Sequence, residues 1–192
     1  MLAICPATMT FSEEILNGIM DVAAAHKNGQ GADLVGINME GPYISPKKIG
    51  AQNPKYVQGA HAAMFRRLQA RSGGLIKLVD VAPEEPGNLD FIRDCHNEVC
   101  ISIAHTCTDY DTAKAAFAAG ASHMTHLYNA MPGITVEMNI HQTGQSIGTV
   151  GIQNFLALQR GRTKGNAAIP DGQIPCFEGM FRRISSCIFD NH

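Results

Sequence analysis

The chain has no tryptophan, few aromatic residues (6%), little charge (17%) and a formal net charge of only −2. So near-neutral a balance gives no electrostatic footprint for nucleic acid or an anionic membrane, and neither is expected as a partner. No apolar run approaches the roughly 18 residues of a membrane span. Met1 to Pro6 lacks the basic region of a signal peptide, and its apolar residues run straight into Pro6, so it reads as a strand. A cytoplasmic location is the expectation. Six cysteines (Cys5, Cys95, Cys100, Cys107, Cys176 and Cys187) form no C-x-x-C pair and no zinc-finger spacing. They are therefore expected to be reduced thiols, most of them simply buried. Cys107 alone stands near a candidate site, two residues after His105.

What the chain does have is 45% hydrophobic residues over 192 positions, enough for one domain with a sizeable core. Residues 2–7 read as a strand. Thr10 and Glu13 form a T-x-x-E pattern expected to cap a helix, with Ile15, Leu16, Ile19, Met20 and Ala23 on its apolar face. Basic and glycine stop signals follow from Lys27 to Gly31. A second strand runs from Leu34 through Val35, Ile37 and Met39 to Glu40, and stops at Gly41-Pro42. The loop from Gly41 to Tyr56 is long enough to be expected functional or disordered. Further helices are expected at about 57–71, at 88–98 and from Thr108 to Gly120. Strands are expected at 75–81, 99–104 and 122–127. The repeated strand–helix order predicts a parallel α/β sheet with helical crossovers. Beyond Pro132 no period of 2 or 3.6 is sustained, and only Phe155 to Leu158 suggests an apolar element. The reading is thus a partial barrel over 1–132 and an unmatched tail over 133–192, irregular or disordered.

Chemistry-bearing residues gather at strand ends. Glu40 ends the second strand, His105 ends the fourth, and the fifth carries His123 and His126. Three residues apart in a strand, these two histidines are expected on opposite faces, so one site cannot hold both. Each of these side chains has an ordinary reading, the glutamate as a solvated edge carboxylate and the histidines as satisfied polar residues. In a parallel α/β sheet, however, the C-terminal ends of strands converge on one opening. A glutamate and two histidines there, with a water, match the donor set of a catalytic Zn²⁺, which would activate the water and polarise a carbonyl.

Three segments carry a resemblance: Met39 to Pro54, Ile103 to Thr106, and Thr125 to Pro132. With Pro6 to Thr10 and Ala119 to His123 between them, they resemble N-acetylglucosamine-6-phosphate deacetylases, in that family's order and spacing over residues 1–132. The resemblance implies an incomplete amidohydrolase-type (β/α)₈ TIM barrel with about five recognisable strands. It implies a hydrolase of linear amide C–N bonds that releases acetate from N-acetylglucosamine 6-phosphate in amino-sugar catabolism. Glu40, His105 and His126 match the family's metal ligands, for a divalent ion expected to be Zn, with Fe, Mn or Co as alternatives. Ala51 and Gln52 match a pair that touches the sugar; many relatives have histidine where Gln52 stands. Asn129 and Ala130 match a pair that binds the substrate near its phosphate, Ala130 through its backbone N–H. Asn38 stands where histidine is frequent and receives no role. A homodimer is implied by the same resemblance.

The departures are as informative. The family's small β domain and first-strand H-x-H precede the point where this sequence starts. From Gly133 to Gly144 nothing matches the R-x-P-G segment whose arginine grips the phosphate. No Asp matches the family's proton-transferring residue, since Asp171 and Asp190 lie in unrelated surroundings, so no catalytic acid or base is assigned. The expectation is an incomplete copy of the enzyme. Two alternatives stand beside it: a catalytically silent sugar-phosphate-binding remnant, and another metal-dependent sugar or amino-acid deacylase.

Overall fold

A computed structural model describes residues 3–26, 31–127 and 129–131; the unmatched tail over 133–192 lies outside the described residues. Strands and helices alternate as the sequence predicts. The order is β1 (Ala3–Ile4), α1 (Glu13–His26), β2 (Asp33–Leu34), β3 (Ile37–Met39), a 3₁₀ turn (Pro54–Tyr56), α2 (Ala62–Arg71), β4 (Ile76–Val81), α3 (Asn88–Cys95), β5 (Cys100–Ile103), α4 (Tyr110–Ala119) and β6 (His123–Met124). Strands β3-β4-β5-β6 form one sheet in that order, and β1 pairs with β2 beside it. All the pairings are parallel. A bridge between Ala7 and Asn38 links the β1 side to β3.

Each helix lays an apolar face on the sheet, which gives the crossovers their energy. In α1 the buried residues are Leu16, Met20 and Ala23, and in α2 they are Met64, Phe65 and Leu68. Buried Ala113 and Ala116 are small enough to let α4 lie close to its neighbours. Phe91 of α3 joins two elements, tilted on Tyr43 at 5.2 Å and edge-on to Phe65 at 6.1 Å, geometries that aromatic rings favour. The exposed Arg67–Glu13 and Arg71–Asp21 pairs connect α2 to α1. Such solvated pairs guide helix orientation more than they stabilise it.

Several local expectations are corrected. The cap of α1 is Ser12, whose hydroxyl accepts from the Ile15 N–H at 3.4 Å. The T-x-x-E pattern fails because Thr10 has its backbone N–H on the Gln52 side chain, at 2.7 Å, while Glu13 turns outward to Arg67. The second strand is not continuous: Val35 and Gly36 separate β2 from β3, and the two halves pair with different partners. The cap of α4 is Asp109, which accepts from the Thr112 N–H at 2.8 Å, rather than Thr108. Helix α2 starts later than the periodicity suggests because residues 41–61 are held elsewhere. Buried Asn88 donates to the Tyr43 and Ala82 carbonyls and accepts from the Ala60 N–H. The Ser45 N–H bonds the His105 carbonyl at 2.9 Å and the Ala82 N–H bonds the Tyr43 carbonyl at 2.9 Å. This loop is ordered by the backbone it crosses.

Gly120 closes α4 with φ +119°, and a Cβ there would fall 2.4 Å from the His96 ring. Alanine therefore meets both a backbone conformation it disfavours and an occupied space. Gly120→Ala is expected to lower unfolding free energy by at least about 1 kcal/mol, read as a reduced urea midpoint at unchanged slope.

Candidate metal centre

Parallel pairing puts the C-terminal ends of β3, β5 and β6 on one rim of the sheet, and the three candidate side chains leave from there. Glu40 follows β3, His105 comes two residues after β5, and His126 comes two after β6. One donor atom from each lies within 4.8 Å of the other two. His105 Nε2 is 3.0 Å from Glu40 Oε1, His126 Nε2 is 3.5 Å from the same oxygen, and the two Nε2 atoms are 3.1 Å apart. The rings cross nearly at right angles, 84°. Both histidines sit at positive φ, 44° for His105 and 32° for His126. Side chains rarely accept that region, and a residue held there costs about 1–3 kcal/mol, a strain that clusters at functional sites.

The chemistry of the set follows from what holds the other nitrogens. His105 Nδ1 is 2.7 Å from the Lys48 carbonyl and His126 Nδ1 is 3.3 Å from the Asn129 carbonyl. A carbonyl only accepts, so each Nδ1 donates its hydrogen there, and in the neutral imidazole each Nε2 is left as a lone pair. Two lone-pair nitrogens and a carboxylate oxygen thus face one another. Three acceptors at these distances repel unless a cation lies among them. The residues fit a divalent metal: imidazole and carboxylate are its usual donors, and the carbonyl partners fix tautomer and ring orientation as they do around bound metals. His105 is almost wholly buried, at 6% side-chain exposure, whereas His126 is 30% exposed. The cluster therefore opens to solvent on the His126 side.

Of the two histidines on the fifth strand, only His126 joins the cluster. The alternation argument reached that outcome by a route the structure does not take, because β6 ends at Met124 and His126 lies in the turn beyond it. Half-buried His123 stays outside the cluster, and desolvation lowers its pKa below the ordinary 6.5. Gln52 is buried at 6% exposure; its Nε2 donates to Glu40 Oε1 at 3.0 Å while its Oε1 holds the Thr10 N–H. A Cβ on Gly41, where φ is +86°, would lie 2.0 Å from Thr10 Oγ1, so glycine lets Thr10 approach this close. Ala51 is exposed. The Asn129 side chain accepts from the Ala130 N–H at 2.9 Å, the same N–H that the resemblance assigns to a substrate. Cys107 is no activated thiol: burial is the main cause raising its pKa, and the Glu84 charge adds to it.

The sequence reading passed over Asp80. It is fully buried near the end of β4, accepting from Asn38 Nδ2 at 3.2 Å and Thr125 Oγ1 at 2.6 Å. Desolvation pushes its pKa from 3.8 up to about 6, against the pull of those hydrogen bonds. The signal was an acid inside the apolar run Leu75 to Val81. A carboxyl with a raised folded-state pKa favours the fold fully below about 3.8, and that contribution is lost as pH rises through about 6. Relative to Asp80→Asn, the wild-type chain should therefore gain about 2 kcal/mol between pH 7 and pH 4, measured by urea unfolding of both proteins across that range.

Searched against protein families, the chain matches no family model. It is 43% identical over 121 residues to the N-acetylglucosamine-6-phosphate deacetylase of Bacillus subtilis, covering 62% of this chain and 31% of that protein. To the human enzyme of that name it is 30% identical over 172 residues, 88% of this chain and 40% of the relative; that alignment reaches beyond residues 1–132. An Escherichia coli O157:H7 N-acetylgalactosamine-6-phosphate deacetylase is 31% identical over 132 residues, 67% of this chain and 35% of the relative. Among solved structures, a mutant N-acetyl-D-glucosamine-6-phosphate deacetylase from Mycobacterium smegmatis, in complex with N-acetyl-D-glucosamine-6-phosphate, superposes with TM-score 0.66 at 28% identity. That match covers 82% of this chain and 38% of the other. The chain spans about a third of the length of the curated relatives it matches. By sequence and by fold, the chain is similar to part of N-acetylglucosamine-6-phosphate deacetylases, and its parallel α/β sheet has the fold of part of an amidohydrolase-type (β/α)₈ barrel.

Proposed function

We propose that the chain carries the metal-binding part of an N-acetylglucosamine-6-phosphate deacetylase site and acts on the acetamido group of an amino-sugar phosphate. The reaction is N-acetyl-D-glucosamine 6-phosphate plus water giving D-glucosamine 6-phosphate and acetate. The observation that carries this reading is the convergence of Glu40 Oε1, His105 Nε2 and His126 Nε2 on one point, with each imidazole's Nδ1 beside a backbone carbonyl. Zn²⁺ is the ion assigned to them, with Fe, Mn or Co as alternatives, since imidazole and carboxylate donors suit each. When bound, such an ion supplies Lewis acidity toward water and toward the amide carbonyl.

The chain's own residues prepare the site for that ion. Lys48 and Asn129 hold the imidazoles through their backbone carbonyls, and Gln52 steadies Glu40 by a neutral amide hydrogen bond. Ala51, Gln52, Asn129 and Ala130 are assigned to the substrate side; for Ala130 this requires that its N–H leave the Asn129 side chain. Among the described residues Glu40 is the one carboxylate of the cluster, and ligation commits it. That favours a second reading, a binding remnant that holds metal and sugar phosphate without turnover. General acid–base groups typically contribute about 10²–10⁴-fold, so acetate release is expected to be slow. As for location, among the described residues no helix is long and apolar enough to cross a membrane, and the described cysteines form no disulfide. We assign the chain to the cytoplasm.

The test is metal titration followed by an acetate-release assay on N-acetylglucosamine 6-phosphate and its galactosamine epimer. Stoichiometric divalent-metal binding is expected, clearly weakened in Glu40→Gln, which loses the anionic donor, and in His105→Leu, which loses an imidazole donor. Binding without detectable acetate release selects the silent remnant. No binding, or no effect of either substitution, overturns the site.

A further inference from the structure

Asp80 has no place in the reading above, yet its contacts lie directly behind two of the three cluster residues. It sits on β4 in register with Ser102 of β5. Its Oδ2 accepts from Asn38 on β3, two residues before Glu40, and its Oδ1 accepts from Thr125, the residue before His126. Strands β3 and β6 are the two ends of the four-stranded sheet and share no backbone ladder. One carboxylate bridges between them. Ser102 Oγ completes the chain at 2.8 Å from Thr125 Oγ1. Ser102 also hydrogen-bonds the Asp80 carboxyl, so the Ser102 and Thr125 hydroxyls gather on the same acid.

The same carboxylate settles which way the Asn38 amide faces. A carboxylate accepts only, so the NH₂ group points to Asp80, and Asn38 Oδ1 finds no hydrogen-bond partner among the described residues. Asn38 is also paired through its backbone on both sides, its N–H to the Pro6 carbonyl at 2.9 Å and its own carbonyl to the Thr8 N–H at 2.8 Å. The residue that presents Glu40 is thus fixed by the β1 side, by β4 and by Asp80 together. Burying an acid at 0% exposure without a cationic partner costs stability. A leucine or threonine would fill a strand interior at less cost. The carboxylate offers what they cannot, two acceptor atoms aimed at two different strands.

We propose that Asp80 is a positioning residue for the metal centre: through Asn38 and Thr125 it sets the separation of the β3 and β6 ends and hence of Glu40 and His126. This rests on the metal-site reading. Outer partners of metal ligands typically carry 10–100-fold of metal affinity, and Asp80 acts one bond further out, so an effect of about 10-fold is expected.

The experiment is Co²⁺ titration of the full chain, following visible absorption, for wild type, Asp80→Asn, Asp80→Ala, Thr125→Val and the Asp80→Ala/Thr125→Val double variant, with urea unfolding of each. Asp80→Asn and Asp80→Ala are expected to bind Co²⁺ about 10-fold more weakly, with altered band positions, while Asp80→Asn unfolds at no lower urea concentration than wild type at pH 7. The double variant is expected to lose no more affinity than its worse single parent, since both act through one contact. If Asp80→Ala fails to fold, Asp80→Asn and Thr125→Val carry the comparison. Wild-type affinity and spectrum in folded Asp80 variants, or additive losses in the double variant, overturn the proposal while leaving the metal site intact. A wild-type chain that binds no Co²⁺ overturns the metal site itself, and the role of Asp80 with it.

Discussion

His105 and His126 present lone pairs to Glu40 because two backbone carbonyls, those of Lys48 and Asn129, hold the hydrogens of their other nitrogens. Much of the local structure exists to make those carbonyls available. The Lys48 carbonyl reaches His105 only because residues 41–61 cross the strand ends, fastened by Asn88 and by backbone bonds to His105 and Ala82. The Asn129 carbonyl reaches His126 through a tight turn in which the Asn129 N–H bonds the His126 carbonyl at 2.8 Å. The positive φ values of both histidines follow from the abrupt stop of each strand. A continued strand would send the side chain to alternate faces and away from the rim. The strain is thus the local cost of directing three acceptors at one point.

The alternation of strands and helices was legible in the sequence because hydrophobic period and glycine punctuation agree over Leu75 to Gly120. So were the cluster residues, by strand-end position and by the motifs that surround them. What the sequence hid was set by contacts distant along the chain. Thr10 looks like a helix cap, but Gln52, 42 residues away, holds its backbone N–H and leaves the capping to Ser12. Gln52 matches a sugar contact by resemblance, but nothing in its local sequence reports that its amide also donates to Glu40, 12 residues before it. Asp80 looks like an anomaly inside an apolar strand, and its meaning depends on Asn38 and Thr125, 42 and 45 residues distant. Local pattern reports burial; it does not report which polar groups meet across strands.

Asp80 and the histidines illustrate one tension. A sheet interior filled with branched aliphatic side chains would be more stable, and the buried carboxyl, pushed up to about 6, measures part of what is given up at neutral pH. Folded proteins hold only about 5–15 kcal/mol in reserve, so a local loss near 3 kcal/mol needs a compensating benefit elsewhere. The benefit available here is geometric. Backbone ladders fix neighbouring strands to one another, but β3 and β6 are separated by two others, and twist accumulates across a parallel sheet. The proposed metal site, with one ligand at each end of such a sheet, is sensitive to that accumulation. A side-chain bridge across the interior removes it.

This arrangement also separates metal binding from turnover. Glu40, His105, His126, their carbonyl partners, Gln52 and Asp80 all belong to the described residues between Thr10 and Met131, and each hydrogen bond that orients them closes within that block. Proton transfer is different, because it needs a group free to gain and lose a hydrogen beside the substrate, and among the described residues the acids near the cluster are already engaged. Glu40 faces the two imidazoles, Asp80 faces the strand interior, and Glu84 accepts from Thr106 and from the Cys107 N–H. On the proposed reading, holding an ion and moving a proton draw on different residues.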